Sequence, residues 1–258
     1  MKKMYFLSSM PRSGSTLTAN ILAQNPKFHS TATSALLDVL FSVRNNWNNY
    51  IEHKAGPCPE KLPRVLRSIV SAYYEDIKKP VIIEKSRGHL AYINLWEQIL
   101  KQPVKILCNI RPIPHILASF EKLYRETSKT QQPPGEKENY FQFQTVEGRC
   151  AYWVRNDQPV GLALNRFNDA MQSGHKNKIH IIPFNDLTTN PEITMKKVYE
   201  FLEEPYFPHD FDNVEQSTNE DDTAYGFVNL HKIRNRVEPV MNDSVAVLGE
   251  ALVKKYAQ

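Results

Sequence analysis

The chain has 258 residues, 41% of them hydrophobic, enough for one large α/β domain with a sizeable core. Its 32 Lys and Arg against 28 Asp and Glu give a net charge of +4, with both signs interspersed. That mild excess fits an anionic small ligand better than a nucleic-acid surface, which clusters its basic residues in stripes. No run approaches the roughly 20 apolar residues that cross a bilayer, and the few apolar residues after Lys2 and Lys3 are too short for a leader, so a cytoplasmic, membrane-free chain is expected. Three cysteines, Cys58, Cys108 and Cys150, are an odd number without ligand spacing, which argues against a disulfide framework; a Cys58–Cys150 bridge stays open.

Four nearly continuous apolar runs read as strands buried on both faces of a parallel sheet: Met4–Ser8, Val81–Glu84, Val104–Ile110 and Ile179–Phe184. Helical stretches alternate with them at Thr16–Gln24, Ser34–Trp47, Glu60–Lys78, Leu90–Leu100 and Ile113–Arg125, and Pro80 and Pro103 mark two strand entries. Residues 127–145, polar and carrying Pro133-Pro134-Gly135, read as a long loop with the character of a lid. Helices are expected again at Val146–Asn156, Pro159–Ser173 and Pro191–Glu203, with an amphipathic tail at Asp243–Tyr256. The alternation implies βαβ units with right-handed crossovers and a ligand site at the carboxyl ends of the strands. No linker or composition break divides the chain, so residues 1–258 are expected to form one domain.

The first strand runs into Pro11-Arg12-Ser13-Gly14-Ser15-Thr16 and then at once into a helix. Such a loop aims backbone N–H groups and the positive end of a helix dipole at one spot, where phosphate usually sits. It is not a nucleotide-triphosphate loop of the form G-x-x-x-x-G-K-[ST]: aligned on Gly14, Ser9 replaces the first Gly and Ser15 replaces the Lys that holds the β/γ-phosphates. Arg12 supplies a cation instead.

Pro-Arg-Ser-Gly-Ser-Thr resembles the 5′-phosphosulfate loop of sulfotransferases that use 3′-phosphoadenylyl sulfate (PAPS), and with Leu17 following it is most similar to the tyrosylprotein and bacterial or viral members. The resemblance extends along the chain. Arg111 ends the strand Val104–Arg111, and Ser119 lies eight residues on; in the family such a pair grips the 3′-phosphate, Arg by forked donors and Ser by a hydroxyl. Val81–Arg87 ends in Lys85-Ser86, similar to the element whose Lys reaches the sulfuryl group, although Arg87-Gly88-His89 stands where that branch has Pro. Ile181–Pro191 and Lys196–Glu204 are similar to a late family element, with Phe184 in place of Tyr to offer a face to adenine. A basic stretch, Val228–Val237, offers Lys232, Arg234 and Arg236 to close over the 3′-phosphate, Arg234 first among them.

The resemblance implies a three-layer, P-loop-like fold with a central parallel sheet flanked by helices. It also implies a PAPS-dependent enzyme, with PAP as the other product and no metal, that sulfates a hydroxyl or amine by in-line displacement. Arg12, Lys85, Ser15, Thr16 and the N–H groups of Ser13–Thr16 would hold the 5′ end, with Gly14 shaping the loop. The general base is the weak element: the tyrosylprotein branch carries a Glu after the first helix, and the matching position here is Thr33. His89, near the place of the cytosolic enzymes' His, and Asp38 are the candidates. A P-loop small-molecule kinase and a catalytically silent PAP-binding protein are the alternatives. The acceptor (small molecule, glycan or peptide) and the oligomeric state are open; Tyr140, Phe141, Phe143, Tyr152 and Trp153 could line an acceptor pocket or belong to the core.

Overall fold

The computed structural model describes residues 2–257. A five-stranded, wholly parallel sheet forms the centre, in the order β2-β3-β1-β4-β5. The strands are β1 (Lys3–Ser9), β2 (Phe28–Thr33), β3 (Val81–Lys85), β4 (Ile106–Ile110) and β5 (Ile179–Pro183). The parallel α/β architecture is the expected one. One strand was not: β2, FHSTAT, is an edge strand whose polar composition gives no apolar run.

The helices are α1 (Ser15–Ala23), α2 (Leu36–Trp47), α3 (Ile51–Ala55), α4 (Leu62–Tyr73), α5 (Ile93–Leu100), α6 (Ile113–Thr127), α7 (Tyr140–Phe143), α8 (Val146–Trp153), α9 (Pro159–Gln172), α10 (Phe184–Thr189), α11 (Pro191–Leu202), α12 (Ser244–Leu248) and α13 (Glu250–Tyr256). The stretch expected as one helix from Leu90 is a 3-10 turn, His89–Tyr92, followed by α5. The long loop holds the single turn α7, and the tail breaks into α12 and α13 at Gly249, whose φ is +85°. Phe184 starts α10 rather than ending β5.

Side chains alternate across the sheet and build a core on each face. Met4 and Phe6 of β1 pack with Leu36, Leu40 and Trp96 on one side. Tyr5 and Leu7 pack with Ile21, Leu22, Val198 and Tyr199 on the other. Each such fully buried apolar side chain contributes about 1.5–3 kcal/mol, so burial fixes the sheet and the loops at its carboxyl edge are positioned by it. A third core lies beyond the sheet and joins α6, α8, α9 and α12 through Ile116, Phe120, Cys150, Trp153 and Leu248. The three cysteines are free. Among the described residues, no helix is long and apolar enough to cross a membrane.

Candidate active site

The turn between β1 and α1 is built by backbone geometry before any side chain contributes. Arg12 and Gly14 both take positive φ, +56° and +91°. At Gly14 no other residue fits: a Cβ there would stand 2.8 Å from Cδ2 of Phe184. Ser13 is wholly buried and its hydroxyl donates to the carbonyls of Met10 and Asn109, the latter at 3.0 Å. Met10 N–H bonds the same Asn109 carbonyl at 2.9 Å, and the Asn109 side chain donates to Thr18 Oγ1 at 2.9 Å. The loop is thereby fastened to the end of β4. The Ser13 hydroxyl, spent on these bonds, does not face a ligand.

Thr18 N–H is the first to find an intrahelical partner, Gly14 C=O at 2.9 Å. The amides ahead of it in the first turn of α1 are the helix's free donors. Gly14, Ser15 and Thr16 line a cavity of about 540 Å³ at the carboxyl edge of the sheet. Lys85, Arg111, Ser119, Phe184 and Arg234 line it too.

Lys85 ends β3 and is 6% exposed. Its Nζ stands 3.2 Å from Thr16 Oγ1 and 3.2 Å from Glu220 Oε2. Burial pulls the Lys85 pKa down from the ordinary lysine value, with Glu220 opposing. Arg12 donates from Nε to Ser119 Oγ at 3.0 Å and from Nη1 to the carbonyl of Leu230. Arg111 donates from Nη1 to the Arg12 carbonyl at 3.0 Å and lies over the Phe184 ring, 4.3 Å from its centroid. Burial, helped by Arg12, pushes Arg111 down to about 10, so it is charged at neutral pH. Its Nε is buried without a partner. The charged Arg111 guanidinium lines the cavity, and the free α1 amides suit an anionic guest there as well.

Two expectations, His89 and Asp38, need correction. His89 is fully buried on the far side of the sheet, where Trp96 Nε1 donates to its Nδ1 at 3.1 Å and its ring packs edge-on to Phe6. Burial drives it down to about 3. It does not line the cavity, because the chain turns inward after Arg87 to bury it in the core. Asp38 is exposed on α2 and also does not line the cavity. The ring of Phe184 is engaged by Gly14 and Arg111, so it buttresses the anion site. Arg234 is at the rim, 66% exposed at its side chain and paired with Glu238 at 2.9 Å. Of the aromatic residues in and after the long loop, Tyr152 and Trp153 belong to the third core, Phe143 is buried against Tyr124 and Tyr152, and Tyr140 and Phe141 are exposed; Pro134 is the loop's contribution to the lining.

Reading the sequence missed the segment 214–227, and passed over His231 within the basic stretch Val228–Val237. Asn20, buried in α1, accepts from the N–H groups of Ser217 (2.6 Å) and Thr218 (3.1 Å) and donates to Thr218 Oγ1 (2.9 Å). That clamp sets Glu220 over Lys85. Thr33 N–H and Tyr225 OH donate to Glu220 Oε1 at 3.1 and 3.3 Å. Burial works to raise the Glu220 pKa, but Lys85 and Thr33 outweigh it and hold the carboxyl below its usual range. Asp222 and His231 complete the group, joined Oδ1 to Nδ1 at 2.6 Å. The run of acids at 220–222 lies just ahead of the basic stretch Val228–Val237, which itself contains His231, but nothing in the spacing joins them into a cluster.

Residues 5–208 match the sulfotransferase family. The chain belongs to that family. Its fold is similar to that of the sulfotransferase domain from the curacin biosynthetic pathway (TM-score 0.62, 16% identity, covering 100% of this chain and 96% of the other). It is also similar to the sulfotransferase domain of the Synechococcus PCC 7002 olefin synthase (0.52, 15%, 97% and 94%) and to a sulfotransferase from Alicyclobacillus acidocaldarius (0.50, 16%, 98% and 97%). No curated protein matches. Among the described residues, no three His, Cys, Asp or Glu side chains cluster to hold a metal ion.

Proposed function

We propose that the chain is a PAPS-dependent sulfotransferase, residues 1–258 acting as one catalytic unit, that moves a sulfuryl group to a hydroxyl or amine of a small-molecule, glycan or peptide acceptor. The observation that carries this is the placement of Lys85 Nζ against Thr16 Oγ1, a buried cation at the N-terminus of α1. Lys85, the Ser15 and Thr16 hydroxyls and the free amides of α1 would hold the 5′ end and stabilise charge on the leaving phosphate. Arg111 and Ser119 would hold the 3′-phosphate. Arg12, bonded to Ser119 and carrying its carbonyl to Arg111, ties the two ends together. Arg234 would close over the 3′ side from the rim. PAPS supplies the activated sulfuryl group. The chain's own contribution is positioning and fixed positive charge.

The test is selective. Arg111→Ala should weaken PAP binding by about tenfold to a hundredfold, as expected for lost charge-assisted hydrogen bonds, while adenosine 5′-phosphosulfate binding changes little. Equal losses for both ligands would remove Arg111 from the 3′-phosphate.

A further inference from the structure

His231 lies in the cavity with its ring held by a carboxylate. Both oxygens of Asp222 are committed to His231: Oδ1 accepts from ring Nδ1 at 2.6 Å and Oδ2 accepts the backbone N–H at 2.9 Å. With Nδ1–H turned to a carboxylate, the lone pair resides on Nε2. His231 lines the cavity, its side chain 15% exposed. The charged and titratable groups facing it are Lys85 from β3 and Glu220, Asp222 and Tyr225 from the covering segment. Glu220 Oε1 is 3.8 Å from Nδ1, while Glu220 Oε2 is bonded to Lys85, so the imidazole sits beside the cation that faces the α1 loop. Burial holds the His231 pKa below the ordinary imidazole value, Asp222 working against it and Lys85 with it, which leaves the ring neutral at pH 7. Glu220 is the poorer base, because Thr33, Lys85 and Tyr225 all donate to it.

We infer that His231 Nε2 is the catalytic base that takes the proton of the acceptor hydroxyl, with Asp222 as its positioning residue. The inference rests on the sulfotransferase reading above. In the step, the acceptor oxygen forms a bond to sulfur as the bond from sulfur to the 5′-phosphate oxygen breaks. That electron pair leaves on the phosphate oxygen, beside Lys85, and the acceptor's proton ends on Nε2.

The experiment uses the full chain with three readouts: PAP affinity, PAP release from PAPS with 2-naphthol or water as acceptor, and the NMR titration of the His231 imidazole, assigned by its loss in His231→Gln. Saturating PAP should raise the His231 pKa by placing negative charge near it, and Asp222→Asn should lower it, a shift that a merely structural clip would not produce. His231→Gln should cut turnover by about 10²–10⁴-fold and remove the acidic limb of the pH profile, with PAP affinity unchanged. A His231 titration blind to PAP, or turnover in His231→Gln close to wild type, overturns the inference. So does an acidic limb that survives in His231→Gln and vanishes in Glu220→Gln, which would make Glu220 the base. If the wild-type chain neither binds PAP nor releases it from PAPS, the sulfotransferase reading itself has failed, an outcome distinct from PAP binding with turnover independent of His231.

Discussion

The backbone N–H of Thr33 donates to Oε1 of Glu220 at 3.1 Å, across 187 residues of chain. The sequence carries no carboxylate at position 33; the fold brings one against it from the other half of the protein, and the same carboxylate grips Lys85.

Lys85 and Glu220 are about 7% and 6% exposed at their side chains, so the pair is buried enough for its loss to be felt. Lys85→Ala leaves Glu220 with its neutral donors but no cation. The expected cost is about 3 kcal/mol of stability, read by chemical denaturation, together with a fall in turnover of about 10²–10³-fold. The double variant Lys85→Met/Glu220→Gln should regain most of the stability and none of the turnover. A single variant as stable as wild type would show that the pair is open to solvent.

Gly14→Ala tests the loop's geometry. The new methyl meets positive φ and the Phe184 ring at once. A destabilisation of about 1–3 kcal/mol is expected, with weaker PAP binding because Arg111 rests on the displaced ring. Unchanged PAP affinity in a folded Gly14→Ala protein would separate Phe184 from the anion site.

Asn20 is the link between α1 and the segment that carries Glu220. Asn20→Ala strips the Ser217 and Thr218 amides of their acceptor. Orphaned buried groups cost about 1–3 kcal/mol each, and the covering segment should exchange its amide hydrogens faster while the sheet does not. Exchange unchanged at residues 217–222 would contradict the clamp.

Glu84 gives the stability of the protein a pH dependence unrelated to chemistry. It is fully buried behind Lys85 on the opposite face of β3, with Tyr74 donating to it, and burial raises it to about 8 from a reference of 4.5. The folded state therefore holds a proton that the unfolded chain releases above pH 4.5, and stability falls as pH rises from 4.5 through 8, by several kcal/mol in all. His89 acts at the other end. Its folded pKa, depressed to about 3, makes stability fall as pH drops from 6.5 toward 3. The two windows overlap between pH 4.5 and 6.5, where the opposing slopes offset each other, so denaturation midpoints should form a plateau there and fall on either side, and Glu84→Gln should flatten the alkaline side. An alkaline slope that persists in Glu84→Gln would assign it to another group.

How much was legible in the sequence follows from where each signal lies. The sheet was readable because parallel strands buried on both faces are apolar throughout, and the loop because Arg12, Gly14 and Thr16 fall within one short run between strand and helix. Lys85 and Arg111 could be placed because they stand at strand ends, and Ser119 by its spacing from Arg111 into the following helix. The edge strand β2 hid behind its His, Ser and Thr. His89 misled because its nearness in sequence to Lys85 says nothing about side-chain direction, and the 3-10 turn carries it into the core beside Trp96. The cluster of Glu220, Asp222 and His231 could not be read, since long-range hydrogen bonds to Asn20 and Thr33 bring the covering segment to the cavity and leave no pattern of spacing.

The central claim is that the cavity is built for a 3′-phosphorylated adenine nucleotide. Thermal denaturation in the presence of PAP, ADP or ATP with magnesium tests it directly. At about 100 times Kd, a ligand stabilises the fold by about 2.7 kcal/mol, a shift easily resolved. The account predicts a clear rise in Tm with PAP and little with the other two. A rise with ATP and magnesium but none with PAP would contradict it and make the chain a kinase.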